Sequence, residues 1–124
     1  MSETRVDLIA RDGKKADMVA FATFNRDKLS EFHLTATGTT GRLMIEKVGL
    51  DVELLLSGPH GGDAQIASGI AQGEVEAVIF LIDPLDKHPH GPDIQTLLRT
   101  CNVHNVPIAT NLATANLIIS ADSL

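Results

Sequence analysis

Three short segments of this chain collect side chains that can do chemistry on an anion. Residues 37–41 read TGTTG, residues 57–63 read SGPHGGD and residues 83–93 read DPLDKHPHGPD. In the first, Gly38 and Gly41 let the backbone approach a ligand closely, while Thr37, Thr39 and Thr40 add three hydroxyls where a helix begins. A plain helix cap needs one hydroxyl, so three favour ligand binding. The GxxxxGK[ST] spacing and lysine of a P-loop are missing. In the second segment, Ser57 and Gly58 present a hydroxyl and an exposed N–H suited to phosphate oxygens. Asp63 stands at the next helix start, where the dipole favours a charged carboxylate. That position fits a residue that only stabilises the helix, and it fits equally a carboxylate brought to a ligand by Gly61 and Gly62. In the third segment, prolines 84, 89 and 92 stiffen the chain around Asp83, His90 and Asp93. His90 and Asp93 lie three apart at a helix entrance, where a carboxylate can orient an imidazole and fix its tautomer. A metal held by His88, His90 and nearby aspartates is the competing reading, but no paired-cysteine or HExxH spacing supports it, and none is expected. Arg11 and Asp12 precede Lys14 and Lys15 at the first helix start. A lysine there opposes the dipole, which points to a functional role for one of the two, with Lys14 read as surface.

The elements that must position these residues follow from hydrophobic pattern and stop signals. Strands are predicted at 6–10, 34–36, 52–56, 77–82 and 107–109. Helices are predicted at about 15–24, from 41 to 48 or 49, at 62–72 with Gly73 as stop, from just after Pro92 to about 102, and from 112 onward. Strands separated by helices at this spacing form βαβ units, hence a mainly parallel sheet covered on both faces. The apolar run AVIFLI at 77–82 suits a strand buried on both sides. All the unusual polar loops then fall at the carboxyl ends of strands, the edge where open parallel sheets bind ligands.

Size and composition bound the answer further. The 124 residues suffice for one domain, 1–124, and 44% hydrophobic with 21% charged residues is globular composition. A net charge of −6, without Trp or Tyr, argues against a nucleic-acid partner. No apolar run approaches a membrane span, and the acidic amino terminus has no signal-peptide pattern. The single cysteine, Cys101, sits on an apolar helical face and is expected in the core, with a reducing cytoplasm as the setting. His33 and His104 are expected at the surface or satisfied in the core.

Taken together, the segments ATGTTG (36–41), LSGPxGGD (56–63), DPL (83–85), PHxPD (89–93) and NVHNVPIATNLATA (102–115) resemble those of the methylglyoxal synthases. The resemblance runs without gaps from about residue 6 to residue 120. It implies a Rossmann-like, three-layer αβα sandwich with a five-stranded, mainly parallel sheet, usually in a homohexamer. It also implies a cofactor-free lyase that converts dihydroxyacetone phosphate to methylglyoxal and inorganic phosphate, the latter a product or inhibitor. By position, Asp63 matches the family's catalytic carboxylate and His90, oriented by Asp93, the imidazole that contacts the substrate's oxygens. Lys15, Thr37, Gly38, Thr39, Thr40, Ser57 and Gly58 match substrate and phosphate contacts, and Asp12 and Asp83 match supporting acids. The family usually has His where this chain has Arg11, a permanently charged residue that binds phosphate well but cannot act as a base. Longer members continue beyond the position of Leu124 and supply a further phosphate-binding arginine, for which Arg11 or a neighbouring subunit is expected to compensate. The alternative function is a non-catalytic effector-binding module of the same fold, as in carbamoyl phosphate synthetase regulatory domains. The presence of both Asp63 and the His90–Asp93 pair favours catalysis, because a sensor needs no base.

Overall fold

Alternation along the first strand divides the interior in two. In the computed structural model, which describes residues 4–86, 92–122 and 124, β1 (Arg5–Ala10) turns Val6, Leu8 and Ala10 to one face and Ile9 to the other. It pairs in parallel with β2 (His33–Ala36) and β4 (Ala77–Leu81); β3 (Val52–Leu54) joins β2, and β5 (Ile108–Ala109) joins β4. The sheet order β3-β2-β1-β4-β5 therefore reverses direction between β1 and β4. On one face, α1 (Lys15–Phe24) and α6 (Leu112–Ile119) bury Met18, Phe21, Ala115 and Ile119 against the strands. On the other, α4 (Gly62–Ala71) and α5 (Pro92–His104) bury Ile66, Ile70, Ile94 and Leu97. The architecture is the expected αβα sandwich around a five-stranded sheet, here wholly parallel. Cys101 lies in the second cluster, where burial, with the Asp7 charge adding to it, pushes its thiol up to about 11.

Several boundaries differ from expectation. The helix after β2 starts at Gly38 rather than Gly41, giving α3 (Gly38–Leu43), which continues as a π-helical stretch over Met44–Val48. Two glycines weaken a helix by roughly 1 kcal/mol each, so local preference reads this segment as loop. Packing overrides it: Gly38 and Gly41 are buried, and a side chain at Gly41 would collide with Leu54. β3 stops two residues short of the expected 56, where Leu56 N–H donates to Gln65 Oε1 at 2.8 Å instead of extending a ladder. β4 and β5 are each one residue shorter, α5 runs two residues longer, and a four-residue helix, α2 (Arg26–Leu29), was not anticipated.

One charged pair is built into the α4/α5 side of the sheet. Arg5 Nε and Nη2 donate to the two oxygens of fully buried Asp7 at 2.8 and 3.1 Å. Burial pushes the Asp7 carboxyl above its ordinary range, and Arg5 pulls it part of the way back. A raised folded value means the charge costs stability above the ordinary value of 3.8 and ceases to do so below it. Arg5→Leu should therefore lower stability by about 3 kcal/mol at neutral pH, because it strands a buried carboxylate. The deficit against the parent protein should shrink as pH falls towards Asp7 protonation. Denaturant melts at several pH values measure it, and a deficit that does not change with pH would contradict the account.

Candidate active site

The loops at the carboxyl edge are assembled by backbone contacts. Gly38 N–H donates to Leu56 O at 3.4 Å, and a Cβ on Gly38 would lie 3.5 Å from Ser57 N, so the 37–41 and 57–63 loops are contiguous. Thr37 takes the extended N-cap conformation of α3, and its methyl group faces Gly62 at the start of α4. Thr40 is buried and its Oγ1 accepts a hydrogen bond from Ala10 N at 3.2 Å, which ties the first cradle to the end of β1 while leaving its O–H to donate. Thr39 is exposed at the helix entrance.

The second loop places a carboxylate beside Gly58, one of the residues expected to bind phosphate. Ser57 leads into a 3₁₀ turn over Gly58–His60, and Gly61, at φ +113°, reverses the chain into α4. That left-handed conformation suits glycine alone among common residues. Asp63 follows in the first turn of α4, half-buried, and a Cβ on Gly58 would lie 3.4 Å from each of its carboxylate oxygens. Carboxylate and cradle thus share one tight turn.

Cations come from the end of β1. Lys15 Nζ donates to Ala10 O at 2.9 Å and to Asp12 Oδ1 at 3.0 Å, which holds the ammonium over the strand terminus. The Asp12 side chain is exposed, and its bond to Lys15 lowers its pKa below the ordinary range. Arg11 N–H donates to Leu81 O at 3.2 Å, joining β1 to β4, and its guanidinium lies 5.4 Å from the centre of the Phe80 ring. Asp83 follows β4: its carboxylate packs against Gly13, and its Oδ1 accepts from Leu85 N at 3.1 Å. Arg11, Lys15 and Asp83 therefore surround the point where strand order reverses, the crevice position typical of open α/β sheets. Lys14 instead pairs with Asp17 at the surface, as its position suggested. His90 lies outside the described residues, as does the Asp93 side chain.

Two cavities qualify this picture. One of about 360 Å³, lined by Lys14, Leu81, Ile82, Pro84 and Thr110, opens on the same carboxyl edge. A larger concavity of about 1060 Å³ lies at the amino edge among Arg26, His33, Asp51 and Glu53. Size does not mark the site there: Arg26 Nε and Nη2 donate to Val48 O and Gly49 O, and the acids Glu31, Asp51 and Glu53 are among the other lining residues. Among the described residues no three His, Cys, Asp or Glu side chains converge as metal ligands do. One contact escaped the sequence reading: the Ser57 hydroxyl and His60 Nδ1 share a hydrogen bond of 2.6 Å. Its only trace in sequence is the Ser-x-x-His spacing inside a turn.

The fold is an open parallel α/β sheet whose two glycine loops abut at the carboxyl edge, the first of them tied through Thr40 to the end of β1, where Lys15 is also anchored. Residues 17–110 match the family model described as MGS-like domain. The chain is 58% identical to a methylglyoxal synthase of Cupriavidus pinatubonensis over 97% of its own length and 92% of that protein's. It is 55% identical to a methylglyoxal synthase of Thermus thermophilus, covering 91% of this chain and 90% of that one. The crystal structure of methylglyoxal synthase from Elizabethkingia anophelis superposes with a TM-score of 0.91 at 41% identity, over 98% of this chain and 81% of that one. The chain belongs to the methylglyoxal synthase family.

Proposed function

We propose that the chain catalyses the reaction its family is named for, converting dihydroxyacetone phosphate to methylglyoxal and inorganic phosphate. Asp63 removes a proton from the hydroxylated carbon next to the ketone, producing an enediolate. His90, oriented by Asp93, hydrogen-bonds the developing oxyanion and relays protons between the oxygens. Phosphate then leaves from the carbon on the other side of the carbonyl, its charge held by Lys15, Arg11 and the donors of Thr37, Gly38, Thr39, Thr40, Ser57 and Gly58. Asp12 and Asp83 keep the cations in place. The remaining enol takes up a proton on its terminal carbon and becomes methylglyoxal. Loss of phosphate requires the breaking C–O bond to align with the enediolate π system, so the cradle matters as much as the base. One observation carries the reading: the Asp63 carboxylate rests against Gly58, within the turn that presents the anion donors.

With this reading go a single catalytic domain, a cytoplasmic setting and a homohexamer. Strongly exposed Phe24 and Leu117, on helices joined by the Asn25–Asn116 hydrogen bond, give the last a surface to bury. Incubation of purified protein with dihydroxyacetone phosphate should yield methylglyoxal and phosphate in equal amounts, undiminished by exhaustive chelation. Phosphate without methylglyoxal, or activity that disappears with the chelator, would point to a phosphatase instead.

A further inference from the structure

Ser57 has a single hydroxyl proton, and the structure places an imidazole nitrogen where it decides the use of that proton. His60 Nδ1 lies 2.6 Å from Ser57 Oγ. The turn fixes this separation, because Ser57 O accepts both His60 N at 3.0 Å and Gly62 N at 2.9 Å. When Nδ1 carries a lone pair, it takes the Ser57 proton, and Oγ shows only lone pairs to its surroundings. When Nδ1 carries hydrogen, the ring donates to Oγ and the hydroxyl proton becomes free for another acceptor. An incoming phosphate consists of acceptors, so it discriminates between these two states.

We propose that His60 is a positioning residue of the anion cradle: bound phosphate selects the ring form protonated at Nδ1, which turns the Ser57 hydroxyl into a donor towards the ligand. The change requires no movement of the backbone. The exposed ring exchanges protons with water, and a charged acceptor makes the released hydrogen bond a strong one. The inference rests on the phosphate role proposed for Ser57 and Gly58 and adds the group that sets the hydroxyl's direction. His60 touches no reacting atom in this scheme and acts only through Ser57.

Inorganic phosphate is the probe. With ¹⁵N-labelled histidine, nitrogen shifts of the His60 ring should show Nδ1–H at saturating phosphate, and Ser57→Ala should abolish the phosphate-induced change. By calorimetry, His60→Leu should weaken phosphate binding roughly ten-fold, Ser57→Ala by a similar factor, and the double variant no further. His60→Asn, whose side-chain amide can donate from near the Nδ1 position, should recover most of the affinity. Thermal midpoints of these variants should match the parent, whereas a purely structural histidine would lower them. If Ser57→Ala weakens phosphate but His60→Leu does not, the inference is overturned and the site survives. If neither Ser57→Ala nor Lys15→Ala weakens phosphate, both fall together.

Discussion

Replacing Asp63 by Asn is expected to lower turnover roughly a thousand-fold or more while leaving the fold intact. Asn has nearly the same shape and remains acceptable in the first turn of a helix, but it cannot accept a proton from carbon. Asp63 packs beside Gly58 in a loop held by backbone bonds that the substitution does not touch. The loss should fall on kcat, with KM close to the parent value, because the cradle that binds the phosphate is unchanged. Methylglyoxal formation measured alongside a thermal melt separates the two effects. Near-normal elimination by this variant would remove Asp63 from the mechanism.

Gly62→Ala should damage both stability and activity without deleting any polar group. A Cβ at Gly62 would collide with the Leu56 carbonyl oxygen and press the Thr37 methyl group. The obstacle is backbone, so no side-chain rotation relieves it, and the start of α4 must shift away from Leu56 in the loop after β3. Overpacking of this kind costs about 3 kcal/mol, equivalent to a fall of roughly 10 °C in Tm for a domain of this size. Asp63 is the next residue and moves with the helix start. A displacement near 1 Å at a catalytic group costs on the order of a hundred-fold in rate. Gly62→Ala should therefore lose activity at temperatures where it is still fully folded. An active variant with an unchanged melt would show that the close approach is not needed.

The parallel βαβ order and the gathering of polar loops at one edge were legible in sequence, because strand-length apolar runs and helix stop signals need only local information. The boundary of α3 was not. Its glycines argue against helix, and what outweighs them is the close approach to Leu54 at the end of β3 and to Leu55 just beyond it. Asp63 shows the same division: a carboxylate at a helix start has two readings on spacing alone, and the catalytic one proposed above rests on its packing against Gly58, which spacing does not give. The His60–Ser57 bond was invisible for another reason, since Ser-x-x-His spacing brings the side chains together only in the particular turn that this loop adopts.

By itself, then, the sequence determined which chemical groups are present, the order of elements and the edge on which the polar loops emerge. Covalent order and local apolar pattern suffice for that. Only the tertiary structure decided that Lys15 and Thr40 are both anchored at the end of β1, that the two glycine loops abut, and that Asp7 is neutralised inside the core by Arg5. The Thr40–Ala10 and Gly38–Leu56 contacts join residues far apart in the chain, and the nearer Arg5–Asp7 and Lys15–Ala10 contacts depend on burial and side-chain direction; close packing sets both and sequence spacing does not.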